Sequence, residues 1–400
     1  MPPNLVSTAR ALRSYMALPA AAKAERRRDL RDGLHDDPGI DRAVSAALDW
    51  LGTAQERSTS ADGGVARHFS LIDGWSASYP ETTGYIVPTM FACADRLGAP
   101  AHAERGRRMQ DWLVSIQQPD GGFQGGVIGA SPVRSVTFNT GQILMGLAAG
   151  VERFGDAYRP AMQRAAEWLV ERQDPDGCWR KGATPFAGAG EKVYETHVAW
   201  GLLEAARQDP GAGYDDVALR NVHWALTHQR PNGWFESNCL SDPTQPLTHT
   251  IGYALRGVLE AHRFTGDASL LAAARRTADG ALTALRGDGF LPGRLDAEWR
   301  GTVGFACLTG SVQIAHCWLM LYQQTGEPRY LEAARTANAF VRRTMRLEGD
   351  PNSRGGVKGS FPVSGEYGRY EYLNWAGKFF IDANLLEQDV VPGEATDIDR

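Results

Sequence analysis

Five side chains have the right types for proton transfer and stand at the starts of similar segments: Glu81, Glu195, His197, His249 and Tyr253. Glu81 and Glu195 suit general acid–base work as a pair. Hydrolysis of a glycosidic bond needs one carboxyl to protonate the leaving oxygen and another to activate water or attack. His197, His249 and Tyr253 suit another step, proton abstraction beside a uronate carboxylate, with which elimination and C5 epimerisation both begin. Lys378, Arg294 or Arg134 would then neutralise that carboxylate. Asn139, Gln142, Gln313, His316, Tyr372 and Asn374 are polar neighbours expected to bind substrate, together with Tyr85, Arg294, Trp299 and Lys378. Aromatic residues at the same places, among them Trp75, Tyr79, Tyr85, Tyr194 and Trp375, offer faces on which sugar rings can stack.

These residues fall into six comparable stretches: ETTGY (81–85), FNTGQ (138–142), YETHV (194–198), LTHTIGY (247–253), CLTGSVQ (307–313) and YLNWAGK (372–378). Thr83, Thr140, Thr196, Thr250 and Thr309 recur, with Asn374 in the sixth place. Such residues suit helix N-caps, where a side-chain oxygen accepts from an orphan backbone N–H. Six helix starts are therefore expected, with Pro88 near the first turn of one of them, where proline costs little.

A second period runs in step with the first. Trp50, Trp112, Trp168 and Trp224 each precede a glutamine (Gln55, Gln117, Gln173, Gln229), and a glycine-bearing turn follows: STSADGGV, QPDGGF, DPDGCW and RPNGWF. RGDGFLPG and RGGVKGSF are two looser copies. Between turns lie an amphipathic Arg/Ala-rich helix such as YRPAMQRAAEWLVERQ and a shorter, more uniformly apolar one such as TGQILMGLAAGVERFG. Six αα-hairpins of this kind predict an all-α (α/α)6 toroid, apolar helices inside and amphipathic ones outside, over residues 41–390. An N-terminal helical arm (1–40) and a flexible C-terminal tail (391–400) are expected to flank it. All six inner-helix starts then converge on one mouth, and the four tryptophans pack between outer helices and turns.

The formal charge of -5 over 400 residues leaves no basic footprint for nucleic acid. The N-terminus lacks the apolar run of a signal peptide, and no stretch approaches a membrane span. Cys93, Cys178, Cys239, Cys307 and Cys317 are scattered and form no CxxC pair, which argues against a disulfide framework or structural zinc. His316 and Cys317 beside Cys307 fit no metal-site spacing either, and buried thiols are the expectation. The reading is a cytoplasmic protein with a small-molecule or oligosaccharide substrate and neither cofactor nor metal. The sequence leaves its oligomeric state open.

The W-x4-Q and DGxF/W turns resemble the repeats of squalene/hopene cyclases and protein prenyltransferase β-subunits. The resemblance is architectural, since the DxDD acid of class II terpene cyclases does not occur and no zinc ligands can be placed. TGDASLLAAARRTADGAL (265–282) and TGEPRYLEAARTANAFV (325–341) look like outer hairpins of unsaturated glucuronyl hydrolases, N-acylglucosamine 2-epimerases and toroidal polysaccharide lyases. PETTGYIVP, FNTGQ, CLTGSVQIA and KGSFPV followed by YLNWAGKFFIDA resemble barrels encountered with polysaccharide or glycoconjugate biosynthesis. What the resemblance implies is a carbohydrate-active hydrolase, lyase or epimerase. An isoprenoid cyclase or transferase, which would need an apolar cavity, and a non-catalytic toroidal binding protein are the alternatives.

Overall fold

The computed structural model describes residue 13 and residues 15–184, 187, 188 and 190–391. After an arm helix α1 (Ala20–Arg31), twelve helices alternate between two concentric layers. The outer layer is α2 (Ile40–Glu56), α4 (Pro100–Ile116), α6 (Arg159–Arg172), α8 (Tyr214–Leu226), α10 (Ala268–Ala284) and α12 (Pro328–Thr344). The inner layer is α3 (Pro80–Leu97), α5 (Thr137–Phe154), α7 (Thr196–Gln208), α9 (Thr248–Thr265), α11 (Leu308–Thr325) and α13 (Asn374–Val390). Each inner helix packs on the next inner helix, and α13 packs on both α2 and α3, so the ring closes. Five strands of two or three residues decorate one mouth: β1 (His68–Ser70), β2 (Gly74–Trp75), β3 (Ala306–Cys307), β4 (Ser360–Phe361) and β5 (Glu371–Leu373), paired antiparallel as β2-β1-β5 and β3-β4.

The repeated turns do the stitching. Their glycines Gly63, Gly121, Gly177, Gly233, Gly289 and Gly355 all have positive φ, from 82° to 101°. That region is costly for residues with a Cβ. A Cβ would also strike the next outer helix, at Arg164 for Gly121, Arg220 for Gly177 and Ala46 of α2 for Gly355. The last turn therefore seats on the first outer helix. The repeat glutamines complete the seam: Gln117 Nε2 donates to Gly121 O and Ala161 O, both at 2.9 Å, and Gln173 Nε2 to Gly177 O at 3.1 Å and Val217 O at 2.8 Å. Trp112 and Trp168 lie against Gly64 and Gly122, in packing roles.

Three details differ from expectation. The inner helices are not the shorter ones: five run to 17 or 18 residues, and only α7 has 13. Their polar first turns had hidden the helical start. The recurrent threonines are not N-caps, because the caps are Tyr79, Val136, Glu195, Leu247 and Cys307, and none makes a side-chain cap bond. Thr83 and Thr140 instead lie one turn in. Each hydroxyl accepts from the repeat turn (Val65 N–H, Phe123 N–H, both 3.0 Å) and donates to its own i−4 carbonyl at 2.8 Å, pinning inner helix to turn. Pro88 consequently falls inside α3, beyond its first turn.

Inner helices approach closely through glycine. A Cβ on Gly146 would collide with the Gly84 carbonyl, and one on Gly201 with the Gly141 carbonyl. The arm is anchored by buried charge: Lys358 Nζ bonds Glu25 Oε1 at 3.1 Å and Asp29 Oδ1 at 2.6 Å, while Asp29 Oδ2 accepts from Val363 N–H at 2.7 Å. Of the expected tail, all but Val391 lies outside the described residues, as do residues 1–12 of the expected arm. Among the described residues, no helix is long and apolar enough to cross a membrane.

Candidate active site

The inner-helix starts surround a cavity of about 140 Å³. Aromatic rings make most of its wall: Tyr79, Tyr85, Phe138, Tyr194, Tyr253, Tyr367 and Trp375. Glu81, His249 and Arg67 are the ionisable groups among these rings besides the phenols. Apolar walls with a few convergent polar groups are what small-molecule sites require.

Glu81 sits in the first turn of α3 and is 9% exposed. Tyr79 Oη donates to its Oε2 at 2.8 Å. Burial pushes its pKa up to about 7, although the Tyr79 hydrogen bond and the charge of Arg67 pull the other way. At neutral pH this carboxyl is therefore divided between acid and base forms. Arg67 is held in place by His68 Nδ1 at 2.7 Å and Glu371 Oε2 at 3.3 Å, with its guanidinium over the Trp375 ring at 5.1 Å.

His249 comes from the first turn of α9. Its Nδ1 lies 2.8 Å from Gln313 Oε1 on α11. A carboxamide oxygen only accepts, so Nδ1 carries the proton and Nε2 keeps its lone pair. Burial lowers the pKa to about 4 despite the Gln313 bond, so the ring is neutral at pH 7. It packs against Tyr253 (4.4 Å between centroids) and Tyr367 (5.3 Å), and Trp375 Nε1 donates to Tyr367 Oη at 2.8 Å.

Glu81, His249, Tyr253 and Tyr85 thus meet in the cavity with the expected ring faces of Tyr79, Tyr194 and Trp375; the other expected residues, Trp75 among them, lie elsewhere. Glu195 directly follows the wall residue Tyr194, but its carboxyl is buried behind the wall. Oε2 has no partner there, and burial pushes the pKa well up against the opposing charge of Lys192. The carboxyl pair needed for two-carboxylate hydrolysis is therefore not gathered in this cavity. His197 lies one layer deeper, with Nδ1 2.6 Å from Gln142 Oε1 and its ring 4.4 Å from Tyr253; burial drives its pKa well down. Gln142 and Gln313 thus orient histidines. Asn139 is fully buried with both amide atoms unpaired.

Arg294 is tied to Gln245 O at 2.9 Å and to Glu366 at 3.5 Å. Trp299 packs on Trp234 and donates to Asn232 O at 3.0 Å. Tyr372 is buried in β5, and Asn374 Nδ2 donates to Ala66 O at 2.9 Å. Lys378 pairs with Asp382 at 2.5 Å, below the cavity, and His316 belongs to the same lower region beside Arg256 and Lys378. Arg134 is in an exposed loop. All five cysteines are free and buried, and no three His, Cys, Asp or Glu side chains among the described residues are grouped to hold a metal ion. Arg67, Phe138 and Tyr367 were not among the expected binders.

A family model described as the squalene–hopene cyclase C-terminal domain matches residues 65–259. No curated protein matches. An unsaturated glucuronyl hydrolase from Bacillus sp. GL1 superposes with a TM-score of 0.68 at 18% identity, over 88% of this chain and 97% of that one. A cellobiose 2-epimerase from Bacillus thermoamylovorans gives 0.67 at 11% identity, over 90% and 98%. A D-mannose isomerase gives 0.70 at 10% identity, over 88% and 97%. The chain shares their fold. It is an (α/α)6 toroid whose repeats match the squalene–hopene cyclase domain model over residues 65–259, and at such identities the likeness is one of architecture.

Proposed function

We propose that this toroid is a cytoplasmic carbohydrate-active enzyme that acts on a glycan or glycosylated metabolite by acid–base catalysis in the aromatic cavity. The observation that carries the reading is the convergence of Glu81 and His249 on one aromatic-walled space. Glu81, with a pKa of about 7, can deliver or receive a proton at neutral pH. His249, neutral and fixed by Gln313, offers the Nε2 lone pair as a base. Tyr79 steadies the Glu81 carboxylate when it forms, and the tyrosine and tryptophan faces stack on sugar rings. Because Glu195 stands behind the wall, a proton-transfer reaction, epimerisation, isomerisation or elimination, suits the groups better than hydrolysis by paired carboxyls. The fold is that of a cellobiose 2-epimerase, a mannose isomerase and a glucuronyl hydrolase, which supports a sugar substrate. Five buried free thiols agree with a reducing compartment.

One observation favours a second reading. Seven aromatic residues around a half-protonated acid, on a chain matching a squalene–hopene cyclase domain model over residues 65–259, would also suit isoprenoid cyclisation, since π faces stabilise cations. A thermal-shift panel of uronate and neutral oligosaccharides, sugar nucleotides and polyprenyl diphosphates separates the two. A ligand at 100 times its Kd raises stability by about 2.7 kcal/mol. Sugar hits incubated in D2O should then gain one deuterium at carbon, a gain that Glu81→Gln and His249→Gln abolish. Stabilisation by polyprenyl diphosphate alone, or undiminished exchange in both variants, overturns the carbohydrate proposal.

A further inference from the structure

The bore of the toroid contains a second cavity, of about 180 Å³, below the first. It is lined by deeper residues of the inner helices, including Pro88, Met145, Ala148, Trp200, Glu204 and Lys378. Glu152 and Gln208, at its far end, are partly solvent-exposed, so this chamber faces the opposite mouth. One residue, Tyr85, lines both cavities. On α3 it stands one helical turn below Glu81 and about one turn above Pro88, on a common face. Its ring packs against Phe379 at 5.3 Å, and Phe379 in turn stands 6.0 Å from Tyr253 and 6.3 Å from His197. These four rings block the bore between the chambers.

Tyr85 has a further property. It is 1% exposed and its hydroxyl makes no well-formed hydrogen bond. The Tyr253 phenol stands close enough for a weak hydrogen-bonding interaction that, together with its charge, helps raise the Tyr85 pKa behind the larger effect of burial. A buried hydroxyl so poorly paired is costly, and a ligand group that reaches it recovers part of that cost.

We propose that Tyr85 is the floor of the active-site cavity and reads the end of the substrate. Its ring stops a sugar chain from passing into the lower chamber, and its hydroxyl bonds the terminal sugar hydroxyl that arrives there. This inference rests on the carbohydrate reading and adds to it a substrate bound end-on, with a length limit set by one side chain.

The test measures affinity of the full chain by calorimetry for cello-oligosaccharides of one to five residues. For the wild type, affinity should stop rising at a short length. Tyr85→Ala, which joins two chambers of about 140 and 180 Å³, should move that limit outward by at least one residue. Tyr85→Phe keeps the floor and removes the hydroxyl. It should keep the wild-type limit and bind the shortest ligand roughly three- to tenfold more weakly, the range for one neutral hydrogen bond. If Tyr85→Ala folds and keeps the wild-type limit, the floor is refuted. If Tyr85→Ala does not fold, Tyr85→Phe alone decides, and unchanged affinity overturns the hydroxyl contact. A wild type that binds none of the series, or shows no limit, overturns the inference at once. Binding of polyprenyl diphosphate in that case would locate the failure in the carbohydrate reading itself.

Discussion

Glu81→Gln should stabilise this protein in alkali while disabling it. The native carboxyl holds its proton to about pH 7, whereas an ordinary one releases it near 4.5. Between those values the folded chain binds a proton that the unfolded chain has lost, so wild-type stability falls as pH rises through that window. At about 1.4 kcal/mol per pH unit, the accumulated cost above pH 7 is roughly 3 kcal/mol. Glutamine carries no titratable proton, and its Oε1 can still accept from Tyr79, so the variant escapes the cost without losing the local hydrogen bond. The stability difference between variant and wild type should be near its minimum at pH 4.5, grow through pH 6 and level off above pH 7. Urea unfolding of both proteins at those pH values measures it, and titrations common to both cancel in the difference. A difference independent of pH, or one that shrinks as pH rises, would refute the buried, pKa-raised state of Glu81 and with it the argument for its acid–base role.

Three further outcomes are expected. His249 has its pKa lowered to about 4, so wild-type stability is lost as pH falls from 6.5 towards 4; His249→Gln should gain up to roughly 3 kcal/mol on the wild type across that window, read by the same unfolding series. Lys358→Met leaves Asp29 buried without a cation and Glu25 with only Arg28 and Arg346, at a cost of about 3–5 kcal/mol at pH 7, part of which should return at pH 5 as Asp29 takes up a proton; an unchanged Tm would sink the anchoring role. Gly146→Ala should cost about 1–3 kcal/mol by driving a methyl into the Gly84 carbonyl, while Gly287→Ala, with nothing within 4 Å of its added carbon, should leave the melting curve nearly in place.

The candidate site was partly legible. Glu81, Tyr85, His249 and Tyr253 stand in helix-start stretches that the repeat aligns, and these four line the cavity. Arg67 and Tyr367 are not legible in this way, because they lie on the strand-edged segments that lead into an inner helix, Arg67 after the GGV turn and Tyr367 between KGSFPV and YLNWAGK.

The period of tryptophan, glutamine and turn glycine belongs to the sequence alone. Local chemistry repeated six times leaves a closed ring of hairpins as the way to bury each apolar face, because every unit covers only its neighbour. What the sequence could not decide was direction across a helix start. Tyr194 and Glu195 are adjacent in the chain, yet one lines the cavity and the other is sealed behind it. His197 and His249 occupy matching stretches and hold matching glutamine partners, but one lies a layer below the other. A helix turns about 100° per residue, so a one-residue change in where it begins rotates the side chains from bore to wall. Around Tyr194 and Glu195 a 3-10 turn (Val193–Glu195) precedes the helix, and each inner helix then takes its place among neighbours it meets only in the closed ring, as Gly201 does at the Gly141 carbonyl.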